Sequence, residues 1–497
     1  MTERLRAADM SFLAQESAST PMHVATLEIF EPPGDGFDYE NLVALIADRI
    51  AFVPRYRQRL QTVPGRLANP VWVDDDDFDF TYHVRRSALP RPGSLDQLRE
   101  LVSRVMSRRL DRSRPLWEVY LVEGLEGGRF AVFSKAHQVL VDGVETLDLG
   151  QLILDDNAEP PEFTRDEWTP ERRPNAVSLV ADAVGDTLRS PAQAIETVKG
   201  GVAGVQGGVL RVRGAAEAVT TLIASSGRGA ADGPLTGMLS EQRRFAMVET
   251  DLEDYRRVRG LHGGTVNDVV LTVIAGALRA WLMTRAESVR PTTRVKALVP
   301  MSVINDDGEY TAVGGQVTPH LLSLPVGENS PVMRLHQVSY SLKAHKETGR
   351  AISASRLADI RGFAPTTLHA LGARVASTYP RRTFNLMITN VPGPQFPLYA
   401  LGARMLASYP VLPLLQGQPL AIGVTSYDGH VFFGLESDYD EVPDIDVLGQ
   451  CISEALGELV DTTTDSRARA PRGRPKSGAG RNGRAATRRP TGKKRTT

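Results

Sequence analysis

Hydrophobic positions recur with a helical period over two stretches of the first 150 residues. From Tyr39 to Ile50, the residues Leu42, Leu45, Ile46 and Ile50 fall on one face of a 3.6-residue repeat, which predicts an amphipathic helix. Leu95 to Leu110 predicts a second helix through Leu98, Leu101, Val102, Val105 and Met106. Ser94 and Gln97 have the spacing of a capping box at its start. Shorter apolar runs predict strands. Leu27, Ile29 and Phe30 mark an early one, and Leu116 to Val122 and Arg129 to Ser134 mark two more, joined by the turn Glu126-Gly127-Gly128. The β-like run continues to Ala136, so His137 stands where a strand empties into a loop.

The pattern loosens after residue 156. Pro160, Pro161, Pro170 and Pro174 open an irregular connector. Val177, Val180, Val184 and Leu188 then share a helical face, and Gly200-Gly201 to Gly207-Gly208 lacks strong helix formers. Two readings of this stretch stay open, a crossover between domains and a helix lying on a membrane surface. Periodicity returns near residue 240. Val266, Val269, Val270, Val273, Ile274, Ala277, Leu278, Trp281 and Leu282 predict a long buried helix, with Thr265 as N-cap and Asp268 as its capping-box partner. Val295 to Val299 and Gly423 to Ser426 read as strands, and Val431 to Leu435 as a hairpin return after the turn Asp428-Gly429. Asn385 to Val391 reads as a strand closed by the tight turn Pro392-Gly393-Pro394. The fold class is α/β (α+β). The organisation is an N-terminal unit over 1–156, a helical crossover linker over 157–239, a second unit over 240–461 and a tail over 462–497.

Composition narrows the setting. The chain has 497 residues, 41% hydrophobic and 24% charged, enough for two to four domain-sized units. Its single cysteine, Cys451, rules out an intrachain disulfide framework and points to a reducing compartment. No secretory signal is evident at the N-terminus, and no run of about 18 apolar residues suggests a membrane span. Charge is uneven. From Arg467 onward there are 12 Lys/Arg and no Asp/Glu, and since the whole chain carries −1, the remainder carries −13.

The candidate chemistry lies in His137-Gln138-Val139-Leu140-Val141-Asp142-Gly143. An imidazole titrates near neutrality and can take a proton from a hydroxyl as its oxygen attacks a carbonyl. Asp142 would orient the loop, and Gly143 would permit a backbone conformation closed to other residues. These residues alone fit a plain strand-to-turn junction better.

The surroundings favour the chemical reading. Leu5 to Leu13, Pro21-Met22-His23-Val24, Val53 to Leu60, Pro70-Val71-Trp72, Phe78 to Val84 and Arg114-Pro115-Leu116-Trp117-Glu118 follow one another in order. Gly264-Thr265-Val266-Asn267-Asp268-Val269-Val270 and Asn385 to Pro394 come later. In this order and spacing, over roughly residues 4–460, the chain resembles the bacterial wax ester synthase/diacylglycerol acyltransferase family. The resemblance implies two chloramphenicol-acetyltransferase-like (condensation-domain-like) domains with an active site in a channel between them. It also implies transfer of a fatty acyl group from acyl-CoA to diacylglycerol, or to a long-chain alcohol giving a wax ester. Acyl-CoA is then the substrate, and no metal or other cofactor is expected. The sites carried over are His137, Gln138, Asp142 and Gly143 for catalysis. Trp117, Asn267, Asn390, Pro392 and Gly393 would contact substrate. Trp117 reads equally as a core aromatic, Asp268 as a helix cap, and Pro392-Gly393 as a structural turn.

One letter departs from the family pattern. Its signature is His-His-x-x-x-Asp-Gly, and the second His, the general base, corresponds to Gln138. An amide cannot act as a base near pH 7, and loss of one costs a factor of about 10²–10⁴ in rate. Three outcomes stay open: His137 takes over, slow transfer persists, or the chain is a lipid-binding homologue without catalysis. The tail adds a reading of another class. Pro471-Arg472-Gly473-Arg474-Pro475-Lys476 resembles an AT-hook for nucleic acid, while a disordered basic tail equally suits an anionic membrane or lipid-droplet surface. The expected location is cytoplasmic and peripheral to membrane or lipid droplets.

Overall fold

A computed structural model describes residues 3–32, 38–140, 149–159, 168–181, 235–303, 316–348, 365–377 and 383–465. Asp142, Gly143, most of the glycine-rich connector and the tail from residue 466 lie outside the described residues.

The first half contributes α1 (Ala7–Gln15), β1 (His23–Phe30), α2 (Tyr39–Ile50), β2 (Gln58–Gln61), β3 (Val71–Asp74), α3 (Phe80–His83), β4 (Val84–Ala88), α4 (Leu95–Met106), β5 (Trp117–Glu123), β6 (Phe130–His137) and α5 (Leu149–Leu152). Helix α2 has the expected bounds and buries Leu42, Leu45, Ile46 and Ile50. The capping box at α4 forms in both directions between Ser94 and Gln97, and the helix stops at Met106, short of the expected Leu110. Lys135 lies just beyond that end. Its Nζ donates to Val105 O at 2.9 Å and to Arg108 O, meeting carbonyls that a helix terminus leaves free.

The second half contributes β7 (Arg243–Asp251), α6 (Leu252–His262), α7 (Val266–Thr284), β8 (Val295–Val303), β9 (Gln316–Leu324), α8 (Pro331–Thr348), α9 (Pro365–Ser377), β10 (Leu386–Pro392), β11 (Tyr399–Ala400), β12 (Ala403–Val411), β13 (Leu420–Tyr427), β14 (His430–Asp438) and α10 (Ile445–Asp465). Helix α7 starts with the expected capping box between Thr265 and Asp268. Asp268 also accepts from Ser339 Oγ of α8 at 2.8 Å, so one carboxylate caps a helix and fastens its neighbour. Among the described residues, α7 is the one helix long and apolar enough to cross a membrane, and most of it is buried in the core.

Two six-stranded sheets result. The first has the order β11-β12-β1-β6-β5-β4 and the second β7-β14-β13-β10-β8-β9. The sequence boundary near residue 240 therefore does not follow the sheets, because β11 and β12 come from the second half and complete the first sheet. Strand β12 pairs antiparallel with β1, Ala25 opposite Val411 and Leu27 opposite Tyr409. The same strand presses Pro410 onto the second sheet. A Cβ on Gly434 would sit 1.8 Å from Pro410 O, and one on Gly423 2.8 Å from Pro410 Cγ. Strands β13 and β14 can lie under β12 only because both positions lack a side chain.

Gly434→Ala should lower stability by about 2–3 kcal/mol, because the blocking atom is backbone and cannot rotate away. Gly457 provides the control. It is exposed in the interior of α10 with nothing within 4 Å of an added Cβ, so Gly457→Ala should stabilise by about 0.5–1 kcal/mol. Urea midpoints of the two variants should move in opposite directions.

Candidate functional site at the strand-end junction

Strand pairing assembles the candidate site. Strands β1 and β6 run antiparallel at the centre of the first sheet, and His23 stands opposite His137. Every residue of both strands is buried, so a polar side chain there needs an internal partner. The two imidazoles meet edge to face, centroids 5.8 Å apart. Glu16, just beyond α1, places Oε1 3.3 Å from His23 Nε2 and 3.8 Å from His137 Nε2. Its other oxygen accepts from Arg112 Nε at 2.8 Å. Arg112 Nη2 also donates to Leu13 O at 2.8 Å, which ties the end of α1 to the segment after α4.

His137 is held by its own turn. Its Nδ1 accepts from the backbone N–H of Val139 at 3.0 Å. That fixes the tautomer with the proton on Nε2, facing Glu16. Burial is the main cause that lowers the His137 pKa to about 3, with the neighbouring His23 as the next cause; Glu16 opposes the shift. The His23 pKa is held well below the usual value, again mainly by burial and then by Lys135. Both rings are therefore neutral at pH 7, and their contacts with Glu16 are not ion pairs.

Alternation along the strand separates Gln138 from His137. The His137 ring lies with His23 and Glu16, whereas Gln138 belongs to the face that carries Val24 and Ala136. The Gln138 backbone N–H donates to Met22 O at 2.9 Å. Its side chain is fully buried, and neither amide atom has a hydrogen-bond partner. Val24, the ladder partner of Ala136, packs against Ala370 of α9, so the two domains meet near the end of β6.

The second domain holds its own candidates. Asn390 Nδ2 in β10 donates to Asn267 Oδ1 at the start of α7, 2.9 Å away. The residue before Asn390, Thr389, places Oγ1 2.5 Å from His369 Nδ1. Pro392 and Gly393 run on alongside β13, and Gly393 N–H donates to Ser426 O at 2.8 Å. Trp117 lies elsewhere. Its indole is fully buried, donates to Tyr56 O at 2.7 Å and stacks on His83 at 4.5 Å, so the structure assigns it to core packing and not to a channel wall. A surface cleft of about 490 Å³ is lined by Asp38, Arg86, Glu123 and Phe130. It lies at the far end of β6, away from His137.

Glu16, Arg112 and His369 are additions that sequence reasoning missed. Their signals were single polar letters beside apolar runs, and only the folded chain gives them partners. His23 was read solely as part of an N-terminal landmark.

A polar cluster at the end of a central strand, in a sheet completed by a strand from the other domain, defines a two-domain, chloramphenicol-acetyltransferase-like acyltransferase. The chain belongs to the wax ester synthase/diacylglycerol acyltransferase family. The model of the family's catalytic domain matches residues 5–270 and that of its C-terminal domain residues 313–460. A probable diacylglycerol O-acyltransferase, tgs3, of Mycobacterium tuberculosis is 46% identical over 260 residues, covering 52% of this chain and 96% of that protein. A putative diacylglycerol O-acyltransferase of the same species is 35% identical over 462 residues, covering 91% of this chain and 98% of its own length. Among solved structures, a wax ester synthase/diacylglycerol acyltransferase from Marinobacter aquaeolei VT8 superposes with a TM-score of 0.65 at 28% identity, covering 93% of this chain and 100% of that one. The first condensation domain of the calcium-dependent antibiotic synthetase shares the fold alone, with a TM-score of 0.55 at 14% identity, covering 94% of this chain and 97% of that one.

Buried neutral histidines make stability depend on pH. Their folded pKa values lie below the unfolded value of about 6.5, so the stability they contribute is full above that pH. It is lost as pH falls from about 6.5 toward the folded value of about 3 for His137 and His369. At pH 5 the loss should be on the order of 2 kcal/mol per imidazole. Denaturant titrations at pH 7.5 and pH 5 should show it, and the difference should shrink in His137→Gln.

Proposed function

We propose that this protein transfers a fatty acyl group from acyl-CoA to the hydroxyl of diacylglycerol, with long-chain alcohols as a second acceptor class. The observation that carries the reading is the strand-end seam. There Gln138 is buried with two unpartnered amide atoms, in a chain whose relatives are named diacylglycerol O-acyltransferases. Unpaired buried polar atoms cost about 1–3 kcal/mol each, and a substrate carbonyl or hydroxyl in the seam would pair with them. The thioester is already activated, so the reaction needs the acceptor placed, its proton removed and water kept out. The fully buried seam supports the last requirement. Acyl-CoA serves as substrate and no further cofactor is required. Peripheral contact with a membrane or lipid-droplet surface on the cytoplasmic side would supply the lipid acceptor. Asp142 and Gly143 complete the motif on which this reading rests.

A second reading follows from Gln138 itself. Without a base at that position the protein would bind acyl chains but not transfer them. Purified full-length protein given palmitoyl-CoA and dioleoylglycerol in detergent micelles separates the two. Wild type should form triacylglycerol slowly, and Gln138→His should raise the rate at least tenfold, toward the factor of about 10²–10⁴ that a general base supplies. If neither folded protein forms triacylglycerol or wax ester, the transferase reading fails.

A further inference from the structure

The end of α4 and the loop that follows it concentrate positive charge. Arg104 to Arg114 holds five arginines and one acid, Asp111, in a chain whose first 466 residues carry −13. Two of the five are engaged. Arg112 bonds Glu16, and Arg114 lies over the Tyr82 ring, 3.9 Å from its centre. Arg104, Arg108 and Arg109 are exposed, and among the described residues no carboxylate or other hydrogen-bond partner meets their guanidinium groups. The C-terminus of α4 does not need them, since Lys135 already meets Val105 O and Arg108 O there. Arg108 N–H still donates to Val105 O at 3.2 Å, so Arg104 and Arg108 share one side of this last turn. The loop is also tied to the end of the central strands. Leu110 N–H donates to His23 Nε2 at 3.3 Å, and His23 stands opposite His137. Arg109 is thus one residue away from a direct contact with the His23–His137 pair.

We propose that Arg108 and Arg109, with Arg104 one helical turn before them, bind the phosphate groups of acyl-CoA at the surface beside the motif strand. The inference deepens the acyl-transfer reading and rests on it for the identity of the ligand. A thioester is best attacked where water is excluded. Its phosphates cannot follow it inside, because burying an unpaired charge is prohibitive. A protein that takes acyl-CoA therefore needs exposed cations next to a buried reaction site. Guanidinium suits phosphate, because its planar fork of donors matches two phosphate oxygens at once. The phosphate of an anionic lipid headgroup has the same chemistry. Position favours CoA: its phosphates stand at one end of a flexible arm whose other end carries the acyl group, and these cations adjoin the strand that carries the motif.

Equilibrium binding of free CoA to the purified full-length protein tests this without any need for turnover. Arg108→Gln combined with Arg109→Gln should raise the CoA Kd about tenfold or more, as expected when charge-assisted bonds to phosphate are removed. Both side chains are exposed, so the urea midpoint should stay where it is in wild type. Arg256→Gln combined with Arg257→Gln removes the same charge from the exposed side of α6 and is the control. Its CoA Kd should stay within about threefold of wild type. An equal loss in both pairs overturns the proposal, and so does a wild type that binds no CoA. Flotation with phosphatidylglycerol vesicles, against phosphatidylcholine alone, distinguishes the lipid source. Flotation lost in the Arg108/Arg109 pair while CoA affinity is unchanged assigns the cations to a headgroup and overturns the CoA assignment. CoA binding that depends on Arg108 and Arg109, without transfer by wild type or Gln138→His, keeps the phosphate site and removes the transferase reading. Triacylglycerol formation with unchanged CoA affinity in the Arg108/Arg109 pair does the reverse.

Discussion

Strand β12 is held by two constraints at once. Its backbone pairs with β1 in the first sheet, and its Pro410 packs against Gly423 and Gly434 of the second. Hydrogen bonds set its register on one side, and the absence of two side chains sets its closeness on the other. Because β12 is laddered into the first sheet and packed closely on the second, the two sheets are held face to face along it. The seam between Val24 and Ala370 is framed by this attachment. A second tie joins Arg374 of α9 to the buried carboxylate of Asp9 in α1, with the guanidinium over the Phe12 ring at 4.8 Å.

Within that frame, strand alternation sorts the two residues of the motif. His137 belongs to a packed cluster with His23, Glu16 and Arg112. Its turn hydrogen bond and burial leave it neutral and fixed. Gln138, one residue on, is buried with both amide atoms unpartnered. The exchange of His for Gln at position 138 therefore leaves the supporting cluster intact and removes only a titratable group. A rotation of His137 into the base role would break its bond to Val139 and strand Glu16 beside His23.

The local code was read well. The bounds of α2, the capping boxes of α4 and α7 and the hairpin at Asp428-Gly429 all match the structure, because each is fixed by contacts within a few residues. Asp268 was correctly a helix cap, and the pairing of Asn267 with Asn390 brought two independently chosen positions together. Where two readings stayed open or the pattern was silent, residues distant in sequence supply the answer. Trp117 belongs to the core because Tyr56 and His83 close around it. Strands β11 and β12 join the first sheet, which no boundary drawn by composition could show.

The sequence by itself determined the periodic elements, their caps and the family, together with the single letter that departs at position 138. Those follow from neighbours in the chain and from an ordered series of motifs. The tertiary structure alone decided which partners each motif residue meets and that the second half of the chain supplies β12. Such relations join residues as far apart as Asp9 and Arg374, separated by 365 positions. No local propensity encodes a contact of that kind; it exists only when the two halves of the chain are packed together.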